Sequence, residues 1–159
     1  MHKEFWILMI IWAAVPIIIF LNIRNSNKRV AQITFLFSQS IAWLYEFVQI
    51  KMQLVAFPYR EFPYATKLSF TLHYLLFPTI GMLFILYYPK KGRYVKTLFY
   101  FLLFGTIAPT YSVIVERTTS LVEYHHWNWA LGFVSSIIML SILKVFVFWF
   151  EKGMLMREE

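Results

Sequence analysis

Three ionisable side chains lie at or near the ends of apolar stretches, where a charge is costly. They are Glu46, His73 and Glu116. A charged group at the centre of a membrane helix costs about 2.5 to 3.5 kcal/mol to insert, so such groups usually have a partner or a task. Two carboxyl groups held close together repel, so one would keep a proton and the pair could exchange a proton or a cation. We therefore predict one polar cluster of these three side chains.

Glu116 also has an alternative role. It precedes Arg117 directly, and Lys51 and Arg60 are predicted at the same membrane face. The carboxylate could neutralise one of these cations at the interface, and an exposed pair of that kind contributes about 0 to 1 kcal/mol.

Glu123 and His126 form a second arrangement with chemical meaning. On a helix their three-residue offset would place both on one face, as in the carboxylate metal sites of helical bundles. Such sites need a second Glu-x-x-His, which this sequence lacks, and His125 and His126 beside tryptophans suit hydrogen bonding in the headgroup region. The chain has no Cys, and no Asp occurs either, so thiolate sites and aspartate-dependent triads are excluded. We predict no metal and no cofactor, with Glu123 and His126 as the alternative metal site.

Five apolar stretches must position these residues. The chain has 159 residues, of which 60% are hydrophobic and 14% charged, against about 25% charged in soluble domains. A helix needs roughly 20 apolar residues to cross the hydrocarbon core. We predict an all-α, polytopic membrane bundle that forms a single domain over residues 1–159, with the bilayer as its main partner. The spans are about 5–23, 30–50, 68–88, 94–115 and 130–150.

The second span is interrupted by polar residues at seven-residue spacing. Gln32, Gln39, Glu46 and Gln53 would form one stripe along a helix, which we expect to face other helices because unpaired amides in lipid are costly. The third span contains Pro78 as a predicted kink. In the fourth, Gly105, Pro109, Ser112 and Glu116 lie on one small or polar face suited to close helix packing.

The loops carry an uneven distribution of Lys and Arg. The net charge is +7, and the cations flank apolar runs, which is typical of membrane orientation signals and does not indicate nucleic-acid binding. The richer face is predicted to be cytoplasmic, which places the amino terminus outside and the carboxyl terminus inside. One face has five cations (Lys3, Lys51, Arg60, Lys67, Arg117) and the other nine (Arg24, Lys28, Arg29, Lys90, Lys91, Arg93, Lys96, Lys152, Arg157).

Part of the chain resembles a known group of membrane proteins. The relevant residues are the Tyr-Leu-Leu-Phe-Pro run at 74–78 and, later, Glu116, Thr119, Leu121, Tyr124 and Trp127-Asn128-Trp129. With these, the stretch 57–129 resembles an uncharacterised family of small multi-span membrane proteins of Bacillus-type bacteria. The resemblance implies a helical bundle in a bacterial cell membrane and supplies no catalytic residue. Members commonly have an acidic residue where this chain has His73.

Three classes of function remain open on these residues. A non-enzymatic membrane component that binds or supports partners, either other membrane proteins or a second copy, would expose the small face around Gly105 and Pro109. A proton- or cation-coupled transporter would use Glu46 and Glu116. A metal-assisted enzyme would need Glu123 and a histidine within ligand reach. The sequence favours the first class.

The orientation can be tested by cysteine labelling, because the chain has no native cysteine. With Asn27 and Glu61 replaced singly by Cys, a membrane-impermeant thiol reagent added outside should label position 61 and spare position 27. Labelling of position 27 with protection of position 61 would reverse the predicted orientation.

Overall fold

The computed structural model describes residues 2–90 and 93–155, and this part of the chain is mostly helical. A π-helical segment, Leu72–Leu76, continues directly into α3, so the two form one broken helix, called the third helix below. The five α-helices are α1 (His2–Asn22), α2 (Lys28–Lys51), α3 (Phe77–Leu86), α4 (Tyr94–Thr118) and α5 (Trp129–Leu155), and the two short strands are β1 (Val55–Ala56) and β2 (Glu123–Tyr124). The predicted helices are confirmed; the strands were not predicted.

Three of the helices are long and apolar enough to cross a membrane. They are Lys3–Asn22, Tyr94–Thr118 and Trp129–Gly153. Helix α2 has 24 residues, but its polar side chains lower its hydropathy. The apolar helix Leu72–Leu86 is short, since 15 residues rise only about 22 Å against a hydrocarbon core of about 30 Å. The structure thus supports a membrane protein, and the count of five spans stays a prediction.

Hydrogen bonds between helix ends show that the helices alternate in direction. At one end, Lys3 Nζ donates to the carbonyl of Thr118 over 2.8 Å. At the other end, the Tyr87 hydroxyl donates to the Asn22 side-chain oxygen, and Lys90 Nζ lies 2.8 Å from the Glu151 carboxylate. The start of α1 and the end of α4 therefore lie at the same end of the bundle. We call it the loop end because residues 52–69 and 119–128 lie there.

The loop end is held together by backbone bonds. Strands β1 and β2 are antiparallel, with Val55 opposite Tyr124 and Ala56 opposite Glu123. The amide of Tyr59 donates to the carbonyl of Ser120 over 2.9 Å. These bonds join the connection after α2 to the connection after α4, so the two loops form one cap over the bundle.

The small face predicted on α4 packs against α5. A Cβ added at Gly105 would lie 2.5 Å from Ile137 Cδ1, and one added at Gly132 would lie 3.0 Å from Pro109 Cβ. A larger residue at either position would require its neighbour to shift, and small residues are common where membrane helices meet closely. The face of Gly105, Pro109 and Ser112, which a partner-binding protein would expose, is thus covered at Gly105 and Pro109 by α5 of the same chain.

Candidate functional site

The site begins with the break in the third helix. Proline has no N–H, so Pro78 cannot bond to the carbonyl of Tyr74 four residues earlier. The backbone widens into a π-helical turn instead, in which the amide of Phe77 bonds to the carbonyl of Leu72. The side-chain amide of Gln39 on α2 donates to the freed carbonyl of Tyr74 over 2.7 Å. The predicted disruption at Pro78 is confirmed, and α2 supplies the missing bond.

Two carboxylates accept hydrogen bonds from the backbone amides at the start of the same helix. The amide of Ser69 donates to Glu46 Oε1 over 2.7 Å. The amides of Phe70 and Thr71 donate to the two oxygens of Glu61 over 3.1 Å and 3.0 Å. The first amides of a helix have no acceptor within the helix and carry a partial positive charge, so anions bind there favourably.

Glu46 has a second partner in His73. The Nδ1 atom of His73 lies 2.7 Å from Glu46 Oε2 and 3.2 Å from the carbonyl of Ser69. The ring N–H is aligned with the Ser69 carbonyl, and Glu46 Oε2 has no hydrogen bond of regular geometry among the described residues. Because the carboxylate is closer and is the stronger acceptor when it is ionised, we infer that the Nδ1 proton is given to Glu46. Both side chains are buried, with 0% of Glu46 and 2% of His73 exposed.

Aromatic side chains enclose the imidazole. The rings of Phe57 and Phe77 stand edge-on to it, with centroids 5.7 Å and 4.9 Å away. Trp12 on α1 donates its Nε1 proton to the Thr71 hydroxyl over 2.9 Å. Residues from α1, α2 and the loop end therefore all converge on the first turns of the third helix.

Glu116 does not take part in this pair. It is half-buried near the end of α4, and within the part of the chain that the structure describes no hydrogen bond or ion pair joins it to Glu46 or His73. Its neighbour is Tyr124: burial raises the pKa of the Tyr124 phenol, and the nearby Glu116 carboxylate raises it further. Of the three residues predicted to converge, the structure brings together two.

The polar stripe on α2 is shorter than predicted. Gln39 and Glu46 face the third helix, whereas Gln32 is exposed. In this half of α2 the buried residues are Ala31, Thr34 and Ser38. At about 100° per residue, Gln32 lies roughly 100° or more from each of them around the helix axis, so it faces away from the packed side. Gln53 lies beyond the end of α2 and has a positive φ of 55°. Gln32 and Gln53 are thus wrongly included in the inward stripe.

The Glu123-x-x-His126 arrangement does not lie on a helix. Glu123 is in β2, and both Glu123 and His126 are exposed. His125 Nδ1 is 4.0 Å from Glu123 Oε1. Among the described residues, no group of three or more His, Cys, Asp or Glu could hold a metal ion. The shared helical face assumed for a metal site is therefore wrong.

A partly open cavity of about 140 Å³ lies beside the buried pair. Helices α2 to α5 and both strands line it, mostly with apolar side chains, and His73 forms part of its wall. Ser38 also lines it; its side chain is buried, and its hydroxyl has no hydrogen-bond partner among the described residues. Dry, apolar cavities of about 150 Å³ can bind benzene, so this space is large enough for a small ligand.

Comparisons with known proteins add no homologue. No family model matches the chain, and neither a curated protein nor a solved structure matches it. The resemblance to small membrane proteins of Bacillus-type bacteria therefore stays an expectation.

Sequence reasoning missed Glu61 and Ser38. Glu61 lies nine residues before Phe70, so no local capping pattern links it to the helix that it caps. Ser38 is adjacent to Gln39 and has no distinguishing neighbour. A mid-helix serine usually bonds to the carbonyl four residues earlier, as Ser40 does with Leu36. The sequence does not show that Ser38 departs from this pattern.

We expect Glu46 and His73 to be energetically coupled. In a double-mutant cycle with Glu46→Leu and His73→Phe, each single change leaves the other group buried without its partner, so the two losses of unfolding free energy should not add. The coupling should be about 0.5 to 3 kcal/mol, measured by reversible unfolding in detergent. The control is the cycle Lys90→Met with Glu151→Leu, whose more exposed pair should give about 0 to 1 kcal/mol. Equal coupling in both cycles would contradict the assigned bond.

Proposed function

We propose that this chain is a non-enzymatic, multi-pass membrane protein that binds a small, mainly apolar molecule inside its helical bundle. The observation that carries the proposal is the unpartnered Ser38 hydroxyl in the wall of an apolar cavity. A buried hydroxyl without a hydrogen bond costs about 1 to 3 kcal/mol. A ligand with one polar group would satisfy it, while the rest of the ligand would fill the apolar space.

The buried pair supports the same function. Because Nδ1 of His73 lies against both Glu46 and the Ser69 carbonyl, Nε2 is the ring nitrogen left for a further partner, and an imidazole in an apolar wall gives a ligand one more polar contact. Five spans, an outside amino terminus and a bacterial cell membrane complete the proposal, supported by three helices of spanning length and by the distribution of Lys and Arg.

A proton-coupled carrier is the second candidate. It is favoured by one observation, namely that the cavity wall contains an imidazole bonded to a buried carboxyl group. Such a pair can pass a proton between its members. Proton movement across sealed vesicles when a substrate is added would identify the carrier, whereas binding without proton movement would identify a binding protein. In the transporter predicted from the sequence, Glu46 and Glu116 carry the proton. In this second candidate, His73 takes the place of Glu116.

Methyl NMR can detect occupancy of the cavity. Met139 lines it, whereas Met82 is buried elsewhere and Met9 is exposed. Titration with benzene should shift the Met139 methyl signal to saturation and leave the Met82 signal almost unchanged. Ala42→Phe places a ring in the cavity and should abolish the saturable shift. The matched variant Ala13→Phe, on the exposed face of α1, should keep it. A Met139 shift that never saturates, like that of Met9, would contradict the binding site.

A further inference from the structure

A second concave surface lies at the loop end. It is a groove of about 520 Å³, formed by the end of α2, strand β1 and the segment after β2. We call it the loop-end groove. Ile50, Val55 and Phe57 are among its apolar residues, and Arg60, Lys67, His125 and His126 provide its cationic and imidazole groups. The interior cavity shares Val55 and Phe57 with it, so these two side chains separate the two spaces.

The Arg60 and Lys67 side chains in the groove are not paired with carboxylates among the described residues. Ion pairs in the described part of the chain include Glu46 with His73, Lys90 with Glu151 and Glu123 with His125. None of them uses Arg60 or Lys67. The nearby carboxylate of Glu61 accepts from the amides of Phe70 and Thr71 and does not line the groove. The exposed carboxylate of Glu123 lies 4.0 Å from His125 Nδ1.

Arg60 and the backbone of His125 and His126 are held in place by the loop. Arg60 donates to three backbone carbonyls, at 2.8 Å to Phe57, 2.8 Å to Thr66 and 3.3 Å to Pro63. Carbonyl acceptors orient the guanidinium but leave its full positive charge. The backbone amides of His125 and His126 both donate to the carbonyl of Leu54, at 3.0 Å and 3.2 Å. Both histidines are therefore fixed at the groove, although their side chains are exposed.

We propose that the loop-end groove binds a phosphate group. A tetrahedral anion with several oxygens matches a surface with one fixed guanidinium, one exposed ammonium and two imidazoles, because each supplies at least one N–H donor. The apolar residues below would contact a carbon chain attached to the phosphate. The phosphate could belong to an anionic lipid headgroup or be free in solution, and the chemistry of recognition is the same for both.

Histidine NMR on the full chain in a maltoside detergent tests the proposal. The protein, with 13C-labelled histidine, is titrated at constant pH and ionic strength with inorganic phosphate and, separately, with dihexanoyl phosphatidylglycerol below its micelle concentration. The ring signals of His125 and His126 should shift to saturation while that of buried His73 stays fixed. Saturation with the lipid alone identifies a headgroup site, and saturation with inorganic phosphate identifies a site for the free anion as well. The absence of saturation with both probes overturns the proposal.

Two lysine variants separate the groove from the general positive charge of the protein. Lys67→Gln removes an ammonium that lines the groove and should weaken binding roughly tenfold, the effect of losing one charge-assisted hydrogen bond. Lys51→Gln removes the same charge from an exposed residue that does not line the groove, and binding should be unchanged. An equal loss in both variants would show attraction by net charge alone and would overturn the site. Neither change touches the interior cavity.

Discussion

The third helix begins among apolar side chains, and its amides and one carbonyl have no partner within the helix. Water cannot satisfy such groups in an apolar interior, so each would cost several kcal/mol if left alone. Glu46 and Gln39 on α2, together with Glu61 in the loop, supply the missing partners. Their spacing agrees with this role, because antiparallel packing brings Glu46 to the start of the third helix and Gln39 to the break. The polarity that makes α2 a poor membrane span is thus what allows a short, broken helix to pack against it.

The same constraint shapes the spaces inside the protein. Glu46 fixes His73, and the fixed imidazole becomes part of the cavity wall. Phe57 packs edge-on against that imidazole and is held in the loop whose carbonyls Arg60 binds. Since Phe57 lines both the cavity and the loop-end groove, movement of this one loop would alter both spaces.

Much of this architecture follows from local pattern in the sequence. Long apolar runs predict the helices, Pro78 predicts a disrupted helix, and seven-residue spacing places Gln39 and Glu46 on one face. Local pattern fails where a contact depends on distant chain segments. Glu61 caps a helix that begins nine residues later, and two-residue strands have too few side chains to show an alternating pattern. Glu46 and His73 are predicted together because both lie at the same membrane depth. Glu116 is predicted at that depth too, but it does not join them. Which side chains meet also depends on how the helices are arranged around the bundle axis, and membrane depth does not specify this arrangement.

The Nδ1 proton that His73 gives to Glu46 joins the two side chains inside the bundle. NMR of protein labelled with 15N-histidine, with His73→Phe to assign the signal, tests this bond. We expect Nδ1 of His73 to carry a proton at neutral pH, this proton to exchange slowly with water, and the signal to change in Glu46→Gln. An unprotonated Nδ1, or a proton that exchanges as fast as those of exposed His125 and His126, would contradict it.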